Sequence, residues 1–305
     1  MSNTIPSEQN SPRHLDQLAA YSWLYLVGKR IVTTQMVLTL PIPIGFTFLA
    51  ITYLEFRGWA ALYGVVVAIL DAAFLENWQK SQKQQAAKIQ ELFDCELYQL
   101  EWNEVKVSNP PDRETIEDAA ANYKRKNPKY KGLVDWYPQA IEPLSIEAAR
   151  LVCQRTNCRW DGNLRRRIGG WVLVLLMCVC LVVTAAGFAT GFSVEKLFIA
   201  ILAPLLPAIL WCIREIKKQR DSADTSDRLK NRVEAIWRKL LNNQIPKQQL
   251  DQEARYVQDE IYNNRSTSPL IFNWIYNLSR SKKEQQMNKA AEEYAEEALR
   301  ALHTP

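Results

Sequence analysis

Between Ile168 and Phe192 the chain carries no charged side chain. A helix rises 1.5 Å per residue and the hydrocarbon of a bilayer is about 30 Å thick, so roughly 20 apolar residues suffice to cross it. Three further blocks approach the same standard. Ile31 to Leu54 is uncharged, Gly58 to Leu75 has Asp71 as its one ionisable residue, and Leu197 to Ile213 is the shortest and holds Pro204 and Pro207. The mean hydropathy of the whole chain is nevertheless below zero. The apolar residues are therefore gathered into blocks and not spread through a soluble core.

The first two blocks are separated by Glu55, Phe56 and Arg57, and the last two by a turn around Ser193 to Lys196. Each pair reads as a helical hairpin, and an even number of spans puts both termini on one side. Lys29, Arg30, Lys80, Lys83, Arg165 to Arg167, Arg214, Lys217, Lys218 and Arg220 flank the long polar segments; the short connections offer Arg57 and Lys196. This bias places the termini and the central segment in the cytoplasm. The expectation is an all-α integral membrane protein with four transmembrane helices in two hairpins and a helical cytoplasmic domain. Its parts are a cytoplasmic N-terminal helix (1–30), hairpin one (31–75), a central cytoplasmic segment (76–167), hairpin two (168–213) and a C-terminal cytoplasmic segment (214–305). The first thirty residues lack the order of a secretory leader. On this reading the three arginines anchor a span at the inner headgroup layer.

The polar segments also read as helices. Ala86, Ile89, Phe93, Leu97 and Leu100 recur at spacings of three and four on a helix that continues the second span. Asn109, Pro110 and Pro111 break the chain, Asp112 caps a helix running to about Lys126, and 127–143 is irregular. Ser145 caps a helix leading through the arginines. In the tail, Asp227 is expected to cap a helix striped by Leu229, Val233, Ile236 and Leu240. Leu250, Ala254, Val257 and Ile261 repeat the stripe after Pro246, giving an antiparallel pair. PLIFNWIYNL, from Pro269, is too short to span and is expected to pack on other helices or the membrane surface. The charged helix Lys282 to Leu302 is expected to be exposed.

Few residues offer chemistry. Asp71 lies about a turn from the cytoplasmic end of its span, either lining a pore or reaching water, Lys80 or an arginine at the interface. Ala60, Gly64, Ala68 and Ala72 recur every four residues, and Gly187 and Gly191 form a GxxxG; such residues let helices approach, within one subunit or between subunits. Pro41, Pro43, Pro204 and Pro207 bend their helices. Trp136 and Tyr137, with Gln154, Arg155, Asn157, Trp160 and Arg165, could stack on a base and meet phosphates, or could simply pack the cytoplasmic core. Six cysteines show no framework spacing and are expected to be reduced. The two histidines, His14 and His303, stand at opposite ends, so no metal site is expected. No phosphate-cradling glycine loop, nucleophile elbow or HExxH occurs, so neither an enzyme nor a cofactor is predicted. The net charge of +5 is modest for this length and gives no reason to expect DNA.

The polar segments carry a likeness to a known family. LAAYSWLYLVGKR, ELFDCELYQLEWN, LVDWYP, ARLVCQRTNCRWDGNLRRR and PLIFNWIYNLSR resemble, in order, the SMODS-associated four-transmembrane effector family. The resemblance implies a pore-forming effector of bacterial anti-phage defence in the inner membrane. It also implies a homo-oligomer that answers a cyclic or oligomeric nucleotide signal from a neighbouring nucleotidyltransferase. The alternative is a membrane-tethered sensor or scaffold that recruits a partner through its cytoplasmic helices, with the lipid bilayer serving only as anchor.

Overall fold

The computed structural model describes residues 3–39, 41–42, 45–46, 53, 55–189 and 203–303. Among these the regular structure is entirely helical, and no strand occurs. The main helices are α1 (Pro12–Thr39), α2 (Phe56–Leu70), α3 (Glu76–Tyr98), α4 (Arg113–Lys124), α5 (Ile146–Ala189), α6 (Ala203–Leu241), α7 (Lys247–Thr267) and α8 (Asn273–His303). A π-helical turn, Asp71–Leu75, joins α2 to α3 without a break. The turn of the second hairpin, around Ser193 to Lys196, lies outside the described residues, as do Pro43 and Gly191.

The chain divides into two compact units. The first comprises Met1–Leu26, Gln82–Arg165 and Ser222–Pro305. Its core takes Leu18 and Tyr21 from α1, Ile89, Phe93 and Leu97 from α3, Leu151 from α5, Val233 and Trp237 from α6, and Val257 and Ile261 from α7. Burying each large aliphatic or aromatic side chain contributes about 1.5–3 kcal/mol, and the three- and four-residue spacings put them on single faces. Ser145 starts α5 as its residue type predicts: its Oγ accepts from Ala148 N at 3.3 Å.

Two local expectations for this unit fail. Asp227 does not begin a helix, because α6 runs through it from Ala203 to Leu241. Neither proline nor glycine interrupts the chain from Ala208 to Ile245. The residues there that favour caps are used for tertiary bonds: Ser222 Oγ donates to Asn264 Oδ1 at 2.9 Å and Ser226 Oγ to Asp161 Oδ2 at 2.8 Å. The last helix is not wholly exposed. Ala291, Ala295 and Ala298 of α8 are buried in the main core, and the Tyr294 ring meets Trp237 edge-on at 5.1 Å. Small side chains let this charged helix lie close.

α5 and α6 approach closely at Gly162. A Cβ there would stand 3.3 Å from Asp227 Oδ1 and from Ser226 Cβ, and 3.4 Å from the Ala223 carbonyl.

The second unit comprises Val27–Ser81 and Arg166–Asp221. Ile31, Val67, Ile168 and Ile216 are buried in it. Among the described residues one helical stretch, Ala61–Tyr98, contains a window long and apolar enough to cross a membrane. In its N-terminal half Leu62, Val65, Val66, Ile69 and Phe74 are exposed, and Val67 is buried.

Candidate functional site

The first unit contains a buried polar network between α3 and α7. Glu91 and Asp94, three residues apart, lie on one side of α3 and are fully buried. Across from them α7 presents Arg255, Gln258 and Arg265. Arg255 Nη2 meets Glu91 Oε1 at 2.5 Å, and Arg265 Nη1 meets Asp94 Oδ2 at 2.5 Å. Gln258 Nε2 bridges the two acids, at 2.8 Å from Glu91 Oε2 and 3.2 Å from Asp94 Oδ2. Tyr137 Oη donates to Asp94 Oδ1 at 2.5 Å. A charge removed from water needs such partners, since an unpaired one costs several kcal/mol. Within the network, Gln154 Oε1 and Arg255 Nε are among the buried atoms without a hydrogen-bond partner among the described residues.

The electrostatics follow from burial. Burial pushes the Glu91 carboxyl upward, against the pull of Arg255. Burial also drives the Tyr98 and Tyr137 phenols well above their usual range, helped by the Asp94 charge. Burial alone would lower Arg265, but the facing Asp94 carboxylate holds it well up. The Cys95 and Cys153 thiols are raised by burial, and Cys158 is pushed up to about 12. These cysteines therefore stay protonated and poorly nucleophilic. Among the described residues no group of three or more His, Cys, Asp or Glu side chains is arranged to hold a metal ion.

The structure brings together only part of the constellation expected around Trp136. Asn157 Nδ2 donates to Tyr137 Oη at 3.0 Å and Tyr98 Oη at 3.3 Å. Gln154 reaches the same network, donating to Gln258 Oε1 at 3.2 Å and to the Ala254 carbonyl at 2.8 Å. Trp136 is half-buried and meets the Tyr21 ring edge-on at 6.0 Å. Arg155 turns to α6 and α8, pairing with Glu234 at 2.8 Å while its guanidinium lies 4.6 Å from the Tyr294 ring centre. Trp160 is half-buried. Arg165 is buried, with Nε 2.7 Å from Asp161 Oδ2 and Nη1 3.0 Å from the Pro269 carbonyl. Of the three arginines, then, one is turned into the protein while Arg166 and Arg167 are exposed.

The second unit holds a smaller polar site. Gln35 Nε2 of α1 donates to Asp71 Oδ1 at 2.7 Å. The two partners weighed for Asp71 from the sequence were Lys80 and an arginine; Lys80 instead pairs with Glu76 at 2.6 Å. Tyr63 Oη of α2 donates to the Leu38 carbonyl at 2.9 Å. Gly64 is open, with no described atom within 4 Å of a Cβ placed there, and Ala68 is exposed. Gly187 lies in α5, and Pro204 and Pro207 lie in the helical backbone of α6.

Periodicity missed the acid–arginine network because it assigns charged residues to solvent. The signal available was weaker than a spacing: Glu91 and Asp94 fall within the apolar stripe of one helix, and Arg255 and Gln258 within that of another.

Comparison with known proteins agrees with the likeness in the polar segments. The model of a family described as the SMODS-associating 4TM effector domain matches residues 3–294. A Bacillus cereus (strain VD146) protein named "Probable CBASS effector molecule" is 26% identical over 297 residues, covering 92% of this chain and 94% of that protein. No solved structure matches.

Proposed function

We propose that this chain, which belongs to the SMODS-associating 4TM effector domain family and is accordingly a membrane protein, acts as the membrane-permeabilising effector of a bacterial anti-phage nucleotide-signalling system. In this reading four helices span the inner membrane, both termini are cytoplasmic, and the first unit receives the signal. The carrying observation is the outward apolar surface of Ala61–Tyr98, with Gly64 and Ala68 uncovered beside the Gln35–Asp71 pair. Small residues on an open face favour helix association in lipid, so several subunits can assemble around a common axis. Gly187, Gly191 and the bends at Pro204 and Pro207 serve the same assembly, and Asp71 lies near the path that opens.

The signal is a cyclic or oligomeric nucleotide made by a neighbouring nucleotidyltransferase. Trp136, Arg155 and Trp160, which keep part of their surface accessible, stack on and pair with it. Tyr137, Gln154 and Asn157 supply the hydrogen-bonded network of this region, and Arg165, tied to Asp161 and the Pro269 carbonyl, adds a cationic group. The mechanism needs no chemical step from the protein.

The test is co-expression with the adjacent synthase during phage infection. Depolarisation of the inner membrane is expected with the natural apolar helices and is lost when unrelated single-pass anchors replace them. Retained protection after that exchange would instead favour a tethered scaffold.

A further inference from the structure

Two neighbouring lines run along α2. Tyr63, Val67 and Asp71, four residues apart, form the line that meets α1: Tyr63 bonds the Leu38 carbonyl, Val67 is buried, and Asp71 accepts from Gln35. Gly64, Ala68 and Ala72, one residue further round, form an open line. Asp71 follows Gly64 by seven residues, which is about two turns, so it projects within about 20° of Gly64. The carboxylate thus stands at the border between the seam within the hairpin and the face left for a neighbour, and it is only partly buried.

The backbone is unusual at the same place. The π-helical turn begins at Asp71, and such turns are rare and concentrate at functional sites. A carboxylate within a membrane-spanning helix is unfavourable unless it faces protein or water. Among the described residues Gln35, an uncharged amide, is the group that holds one carboxyl oxygen by a hydrogen bond. A carboxyl group on the edge of an open face is placed to line a path for an ion.

We infer that Asp71 is the cation-selecting residue of the leak and Gln35 its positioning residue. The inference rests on the reading of the chain as a permeabilising effector. Closed symmetric assembly on the open face repeats one carboxylate per subunit around the axis. A ring of carboxylates concentrates small monovalent cations and repels anions.

The experiment uses giant spheroplasts expressing the full chain with the adjacent synthase, infected with phage and patch-clamped across a potassium chloride gradient. The natural protein is expected to pass potassium over chloride by roughly tenfold, as carboxylate-lined pores do. Asp71→Glu keeps that preference, Asp71→Asn and Asp71→Ser bring the ratio towards one, and Gln35→Leu lowers it part way. If only carboxylates at 71 give a current, the charge is required for conduction, which also supports the inference. A natural leak that is unselective or prefers chloride overturns it, as does any leaking variant without a carboxylate that keeps the natural ratio, or an Asp71→Glu protein that reaches the membrane and passes no current. Absence of any current in the natural protein overturns the permeabilising reading itself, a separate result.

Discussion

The two units solve opposite solvent problems. In the first, charges are inside: Glu91 and Asp94 are fully buried, and each is answered by an arginine from α7. In the second, grease is outside: Ile69 is 61% exposed, Phe74 65%, Met177 63% and Leu181 73%. An apolar surface of that kind is unfavourable in water at roughly 25 cal/mol per Å² and neutral in hydrocarbon. The first unit is thus held by its own interior, where partners must match. The second has its outer surface matched to lipid, and among its described residues Gln35 and Asp71 form a partly buried polar bond.

The sharpest way to break this contrast is at the first unit's network. Arg265→Met leaves Asp94 buried without its counter-charge and is expected to destabilise the unit by about 4 kcal/mol, as for other broken buried pairs. Arg300→Met, at an exposed pair with Glu296, is the control. Thermal unfolding in detergent measures both, and equal effects would remove the distinction between buried and exposed pairs on which the account of the first unit rests. Next in size is Ile69→Asp. Ile69 is largely exposed, so a soluble-style surface would tolerate the change. A lipid-facing surface disfavours an aspartate by up to about 3 kcal/mol at the helix centre and by less towards its end, and membrane-inserted yield in a fractionation assay should fall accordingly.

How far these properties could be read in advance differs by kind. The α3 and α7 stripes were legible because apolar spacing is local: Ala86, Ile89, Phe93, Leu97, Leu250, Ala254, Val257 and Ile261 are all buried where period alone puts them. The docking of α8 was not, because Ala291, Ala295 and Ala298 carry little hydrophobic signal and their value comes from fitting a surface built elsewhere. Asp227 misled because its cap preference is a local bias that an uninterrupted helix overrides. The polar sites were the least legible. Arg265 and Asp94 lie 171 residues apart, and Gln35 and Asp71 lie 36 apart. A search for charged partners also passes over a glutamine. Nothing in a one-dimensional pattern pairs such residues before the fold does.

The smallest expected effect separates rim from interior within the first unit. Glu96 sits near the surface, facing Arg13, with Gln17 Nε2 at 2.9 Å and His14 Nε2 at 3.3 Å from Oε2. Burial alone would raise its carboxyl, but the His14 and Gln17 hydrogen bonds and the Arg13 charge outweigh this and bring it below 4.5. A carboxyl lowered in the folded state adds stability above its unfolded value and loses that stability as pH falls through the folded one. Glu91 has the opposite sign: raised by burial, it favours the folded state most when protonated, so acid does not cost it. Acidification below about 4.5 should therefore act through rim carboxylates such as Glu96. Glu96→Gln is expected to flatten the fall of the unfolding temperature in that window and leave the neutral-pH slope unchanged. A variant whose acid slope matches the natural protein would place the acid-sensitive groups elsewhere and move the boundary between rim and interior inward.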